Sequence, residues 1–224
     1  MNVNLISYSQ PTVDPLLVDY GLPKEFSQLV AFCARVSNPE NQHNEETSEK
    51  LVKYLIKNKH WSPLEMVSVC LEIETTRDIA RQLLRHRSFS FQEFSQRYAD
   101  PTKDLDFETR QARLQDPKNR QNSIEADHDG LEIEWHKRQR EVIKAATDAY
   151  SWAISNGIAK EQARVVLPEG NTITRLYVNG TLRSWIHYIE LRRSNGTQQE
   201  HVLAGVAEMC AKVINNIFPY NKII

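Results

Sequence analysis

Apolar and polar residues alternate from Met66 to Glu74. Val67, Val69, Leu71 and Ile73 fall on one side, and Ser68, Cys70, Glu72 and Glu74 on the other. A period of two predicts a half-buried strand. From Thr76 to about Arg87 the period becomes helical. Ile79, Ala80, Leu83 and Leu84 form the apolar stripe, and Arg77, Arg81 and Arg85 line a separate face at i, i+4 and i+8. Upstream, Asn2 to Tyr8 reads as a strand. Phe26 to Val36 reads as a helix gathering Leu29, Val30 and Cys33, and residues 46–60 as a second helix with Leu51, Tyr54 and Leu55 at helical spacing.

Residues 101–130 are polar and poor in large apolar side chains, which predicts a long, partly irregular excursion, the least ordered part of the chain. Leu131 to Ile158 predicts one long helix stopped near Asn156-Gly157. Thr172 to Asn179 predicts a strand bounded by Gly170-Asn171 and Gly180. Thr181 to Arg193 predicts a helix with Leu182, Trp185, Ile186 and Ile189 inward and Arg183, His187 and Glu190 on another side, stopped at Asn195-Gly196. Thr197 and Glu200 make a capping box. The last helix follows, with Val202, Leu203, Val206, Met209, Cys210, Val213 and Ile217 at 3–4 spacing. Helices and strands mix without regular alternation. The expected class is α+β, a central antiparallel sheet flanked by helices plus a helical segment, in one domain over residues 1–224.

Net charge is −1, so an anion site must be local. Arg77 to Arg97 is such a place, with five arginines against Asp78 and Glu93. The N-terminus has no basic start and only a short apolar run, so no secretory signal is expected. No run approaches the ~20 apolar residues of a membrane span. Cys33, Cys70 and Cys210 are far apart with no C-x-x-C pair, which speaks for a reducing compartment and against disulfides or zinc. A cytoplasmic location is expected. No two of the seven glycines are spaced for a dinucleotide loop or a P-loop, and the seven histidines show no ligand pairing. No metal is expected. Bound phosphates would have to be held by Arg forks, Ser hydroxyls or helix N-termini.

The stretch RHRSFSFQEFSQRY, Arg85 to Tyr98, concentrates that chemistry. Alone, Arg85, His86 and Arg87 read as a solvated basic helix end, where cations complement the dipole. Phe89, Phe91 and Phe94 change the picture, because their burial would fix the loop. Ser90, Ser95 and Arg97 would then be held near the helix end as a mould for a phosphate or another flat anion. Arginine also stacks on aromatic rings, so an isoalloxazine or a base fits beside it. The alternative is a nucleic-acid-binding module using this Arg/Phe-rich segment. The near-neutral charge and the confinement of the basic residues to one place oppose it.

Arg85-His86-Arg87 with Ser90, Ser95 and Arg97 matches the R-H-R-x-x-S-x-x-x-x-S-x-R signature and so resembles the flavin-dependent thymidylate synthases. CARVS (Cys33 to Ser37), KHWSPLEM (Lys59 to Met66), QARVVLP (Gln162 to Pro168) and LRSWIHYIELR (Leu182 to Arg192) resemble that family in the expected order. The resemblance implies conversion of dUMP to dTMP, with 5,10-methylenetetrahydrofolate as carbon donor and FAD, reduced by NADPH, as hydride carrier. It implies a homotetramer with shared active sites. It implies FAD contacts at Ser62, Arg85, His86, Arg87, Ser88, Thr181, Arg183 and His187, and Glu93 between FAD and dUMP. It implies dUMP contacts at Gln82, Arg85, Ser95, Arg97 and Arg164, with Arg192 at the uracil ring as the catalytic group. One departure is that Thr181 stands where the family often has Asn, while Asn179 is nearby.

Each residue also has a plainer reading. Ser62 before Pro63 and Glu65 is a good helix N-cap. His187 beside Trp185 and Tyr188 would suit a hydrogen-bonded core histidine. Arg164 could pair with Glu161 along a helix. Of Arg192 and Arg193 only one can face inward. No cysteine sits in a reactive setting, so C5 of uracil would have to be activated electrostatically, by a guanidinium at the pyrimidine edge.

Overall fold

The computed structural model describes residues 1–12, 23, 25–127, 129–193 and 199–218. Its centre is a four-stranded sheet in the order β1 (Asn2–Tyr8), β2 (Ser68–Thr76), β6 (Ile173–Thr181), β3 (Ser90–Glu93), with every neighbour antiparallel. The alternation seen in the sequence sets its faces. Val69, Leu71, Ile73 and Thr75 of β2 and Thr174, Leu176, Val178 and Gly180 of β6 are buried, while Glu72, Tyr177 and Asn179 face outward. Helices cover the buried face: α1 (Phe26–Ala34), α2 (Ser48–Lys57), α3 (Arg77–Leu84), α7 (Leu182–Arg193) and α9 (Val206–Ile217). Val30, Leu64, Leu83, Trp185, Ile186 and Cys210 are fully buried between these layers.

The β2–β6 register decides where the site forms. Ser68 pairs with Thr181 and Thr76 with Ile173, so each strand ends where the other begins. Each also runs into a helix without a linker, β2 into α3 and β6 into α7. The two helices therefore start from opposite ends of the sheet and approach one another. Nine-residue strands span ~27 Å. At 1.5 Å per residue, Arg77 to Arg85 rises ~12 Å and Leu182 to Arg192 ~15 Å. The C-terminal ends of α3 and α7 meet over the sheet.

The RHR segment turns back at the end of α3 and returns as β3, a strand missing from the sequence pattern. Ser90-Phe91-Gln92-Glu93 is too short and too rich in polar residues to show a period. Phe89 is buried as expected, with its ring centroid 4.6 Å from that of Trp185. Gly180, expected as a strand boundary, lies inside β6. A Cβ there would fall 2.2 Å from Cδ1 of Phe89, so the loop approaches the sheet more closely than any side chain allows.

Residues 101–130 form more than an irregular excursion. They carry a short helix α4 (Pro101–Asp104) and a hairpin of β4 (Arg113–Gln115) and β5 (Ser123–Glu125). Arg110 pins the segment to the start of α3, donating from Nη2 to Thr76 Oγ1 at 2.7 Å and to Asp78 Oδ1 at 2.6 Å. The long helix α5 spans Asp129–Ser155, and Gly157 at φ 78° ends it. Its Tyr150 and Ala153 pack with Ala163 of α6 (Lys160–Ala163) and with Leu167 in a small second cluster. The expected last helix is two, α8 (Gln199–Leu203) and α9, broken at Gly205, whose φ of 65° is left-handed. Leu203 is exposed rather than inward. Asn195, Gly196 and the Thr197 half of the capping box lie outside the described residues.

The Gly180–Phe89 approach is testable. Gly180→Ala should destabilise the protein by ~1–3 kcal/mol through overpacking, read from urea midpoints. A Phe89→Leu background should shrink that penalty. Equal penalties in both backgrounds would show that the ring is not what the added methyl meets.

Candidate active site

Where α3 and α7 meet, Arg192 is buried at 7% exposure, while its neighbour Arg193 lies at the surface and pairs with Glu208 at 2.6 Å. The Arg192 guanidinium faces α3. Its Nε donates to His86 Nε2 at 3.3 Å, its Nη1 to Gln82 Oε1 at 3.4 Å and its Nη2 to the Gln82 carbonyl at 3.4 Å. Burial pushes this arginine below its ordinary pKa, Arg85 adds to the effect, and Tyr188 and Glu200 oppose it. Both helices end here, so their dipoles offer negative ends to the cation.

The RHR motif is divided by burial. Arg85 and Arg87 are exposed, and His86 is half-buried between them. Because Nε2 of His86 accepts from Arg192, the ring is neutral and its remaining proton sits on Nδ1. Burial, then the charges of Arg192 and Arg85, hold its pKa down to about 4. Beneath it, Tyr188 packs edge-on at 5.2 Å and its hydroxyl meets His201 Nε2 at 3.0 Å. His201 is 1% exposed and is likewise pushed down to about 4, first by burial and then by Arg192 and His86, with Asp78 opposing.

Other expected residues gather at the start of α7. Thr181 Oγ1 lies 3.1 Å from Ser184 Oγ, and Ser184 Oγ donates to the Ser88 carbonyl at 3.4 Å. Asn179, two residues earlier on the same strand face, is exposed. Arg183 pairs with Glu65, three residues after the exposed Ser62. His187 is an exposed residue against Trp61, ring centroids 4.6 Å apart, and not a core histidine. Ser62 is not the N-cap expected of it: it is the first residue of a short helical turn, Ser62–Glu65, and Trp61 stands at the cap position.

A second group forms at the other end of α3. Glu93 accepts from Arg77 Nη1 at 3.1 Å and from Thr174 Oγ1 at 2.9 Å. Beyond it Ser95 and Arg97 project outward on either side of the buried Gln96. Lys160 donates to the Tyr98 carbonyl at 2.8 Å, which brings this loop to α6, next to Arg164. Among the described residues Arg164 has no ion pair with Glu161 or any other carboxylate. From this end toward the first group the basic face of α3 is neutralised: Arg77 by Glu93, and Arg81 by Glu169 with Nε to Oε2 at 2.7 Å. Glu169 escaped the sequence reading because it lies 88 residues from its partner; Gln82 and Glu200, 2.9 Å apart, are separated by 118. No short-range pattern encodes either pair.

The cysteines match expectation. Cys210 is fully buried and its thiol is pushed up by burial, and burial also raises Cys33 and Cys70. Among the described residues no cluster of ligands could hold a metal, and no helix is long and apolar enough to cross a membrane.

The thymidylate synthase complementing protein family matches residues 16–220. A probable flavin-dependent thymidylate synthase of Paramecium bursaria Chlorella virus 1 is 46% identical over 98% of this chain and 96% of its own. The chain belongs to the flavin-dependent thymidylate synthase family. The flavin-dependent thymidylate synthase of Synechocystis is likewise 46% identical, with the same coverage. The solved structure of a UMP/dUMP methylase, PolB of Streptomyces cacaoi, bound with 5-Br dUMP, shares the α+β fold. Its TM-score is 0.75 at 24% identity, covering 98% of this chain and 91% of that one.

For this family member the two neutral imidazoles set a pH response. The unfolded chain takes up protons at His86 and His201 as pH falls through 6.5, whereas the folded chain resists until about 4. Their contribution to stability is therefore complete above 6.5 and lost progressively toward pH 4. Glu72 and Glu169 are depressed below the carboxylate value of 4.5, so their effect overlaps only the acid end of that window. Urea midpoints should fall between pH 7.5 and 5, and less steeply in His201→Gln. A flat profile in the parent protein would mean the imidazoles are not held neutral.

Proposed function

We propose that this protein converts dUMP to dTMP by reductive methylation, taking a methylene from 5,10-methylenetetrahydrofolate, with NADPH reducing a bound FAD. The observation that carries this reading is the buried guanidinium of Arg192 presented at the RHR motif. Methylation at C5 of uracil needs electron density on that carbon. A thiolate adding to the ring is one route, and the three cysteines, all raised by burial, do not offer it. A guanidinium at the pyrimidine edge is the other. It stabilises negative charge developing on the ring oxygen and N3, and does so more strongly in a site sheltered from water. His86 supports this by remaining neutral, so that it orients Arg192 without adding a competing charge.

The donor set fits FAD. Arg85 and Arg87 are exposed cations with no carboxylate partner among the described residues, suited to a diphosphate, and Ser88 and Ser62 are exposed hydroxyls nearby. His187 would join them. Arg183 would have to leave Glu65, and Thr181 already serves Ser184, so Asn179 is the freer of the two flavin candidates on that strand. When bound and reduced, FAD supplies the hydride. Ser95, Arg97 and Arg164 would hold the dUMP phosphate, with Gln82 and Glu93 nearer the base. The near-neutral net charge and the match to the thymidylate synthase complementing protein family weigh against the nucleic-acid alternative.

Ser95, Arg97 and Arg164 are divided from Arg192 by those ion pairs, which favours a site completed by another copy of the chain, in a homotetramer acting in the cytoplasm. Each 1–224 chain would contribute as one unit. On α5, Leu131, Trp135, Val142, Ala145, Ala149 and Trp152 form an exposed stripe at heptad positions, interrupted once at Arg138, with Trp152 63% exposed. That is the spacing of a helix face seated against another helix. Val142→Glu with Trp152→Glu should shift sedimentation to smaller species and lower activity with it. A fully active monomer would refute the shared site.

The deciding experiment is dTMP formation from dUMP by the purified yellow protein with methylenetetrahydrofolate and NADPH. FAD-loaded protein that forms none overturns the reading. Arg192→Ala should cut kcat by ~10²–10³, as for loss of one oxyanion donor. Arg97→Ala should mainly raise KM for dUMP, by the ~1.5–3 kcal/mol of a charge-assisted contact. Both should still bind FAD and be reduced by NADPH. If Arg192→Ala raises only KM, that arginine is a further anion contact and not the activating group.

A further inference from the structure

We infer that Glu200 is a positioning residue that orients Arg192 through the side-chain amide of Gln82. The inference rests on the reading of Arg192 as the group that acts on the pyrimidine. Gln82 stands between two opposite charges. Its Nε2 donates to Glu200 Oε1 at 2.9 Å, and its Oε1 accepts from Arg192 Nη1 at 3.4 Å. An amide has one donor end and one acceptor end. Turned over, it would present NH2 to the guanidinium and oxygen to the carboxylate, two repulsive contacts in place of two attractive ones. The shorter, charge-assisted bond to Glu200 therefore selects the rotamer that Arg192 needs. The terminal torsion of Gln is broad and would not select it alone.

Glu200 is itself well anchored. The next residue, His201, is buried at 1% exposure and held by the Tyr188 hydroxyl at 3.0 Å, which ties α8 to α7. The order of support runs from Tyr188 and His201 to Glu200, then to Gln82, and then to Arg192. On the other side of the guanidinium, His86 fixes Nε. Arg192 is thus aligned from two directions, and removing Glu200 should loosen one of them without touching the flavin residues.

Three variants separate this role from a structural or purely electrostatic one. Glu200→Ala should lower kcat about tenfold, the scale of a small misplacement of a catalytic group, with dUMP KM and the flavin spectrum little changed. Glu200→Gln should stay close to the parent, because its amide oxygen can still accept from Gln82 Nε2. Glu200→Lys should be at least as slow as the alanine variant, because an ammonium favours the reversed amide. Parent-like kcat in Glu200→Ala overturns the inference. So does a Glu200→Gln as impaired as Glu200→Ala, which would mean that the charge acts directly. Should Glu200→Ala fail to fold, the near-isosteric Gln variant against the Lys variant decides alone: equal rates overturn the inference and a slower Lys variant supports it. If the parent forms no dTMP, the functional reading falls separately. Crystal structures of Glu200→Ala and Glu200→Lys still judge the positioning: a turned Gln82 amide and a displaced guanidinium support it, and an unmoved Arg192 overturns it.

Discussion

The antiparallel register of β2 against β6 is the constraint from which the rest follows. Pairing Ser68 with Thr181 and Thr76 with Ile173 aims α3 and α7 at each other from opposite ends of one apolar sheet face. Helix and strand rise then bring the two C-termini together. Two dipole ends of the same sign converge there. The convergence is tolerable because the sequence supplies Arg85, Arg87 and Arg192 at that place, and Arg192 in turn tolerates burial because carbonyl, amide and imidazole acceptors surround it. Topology and chemistry are thus two sides of one arrangement.

The same arrangement explains why the cationic motif is not a simple basic patch. Along α3 the charge is cancelled over the first turns, where Arg77 and Arg81 meet Glu93 and Glu169, and left uncancelled at the C-terminal end, at Arg85 and Arg87. Local burial repeats the device: His86 turns in between Arg85 and Arg87, and Gln96 turns in between Ser95 and Arg97. In each case one inward side chain anchors the backbone so that its two neighbours are presented outward at fixed positions.

Much of the fold was legible because periodicity is a local property. The alternation of β2, the apolar stripe of α3 and the inward set Leu182, Trp185, Ile186 and Ile189 needed no distant information. The family signature carried the candidate site. What escaped was non-local or too short to carry a period. β3 is four residues long, and Gly180 looked like a boundary because its reason for being glycine, the Phe89 ring, lies 91 positions away in the chain. The partners of Arg81 and Gln82 are invisible for the same reason. Gly205, inside an otherwise regular 3–4 spacing, was the one local signal for the break between α8 and α9 that the apolar pattern concealed.

The register also orders events in time. β6 lies about a hundred residues beyond β2, so the central pairing closes a long loop, and loop closure must be met before the contacts return anything. While the chain emerges, α3 and the RHR motif exist without the strand that seats them, and β2 keeps an open edge. Arg192 lies beyond β6, so its approach to His86 and Gln82 depends on the β2–β6 pairing, and burial of the cation is tied to the same contacts that satisfy it.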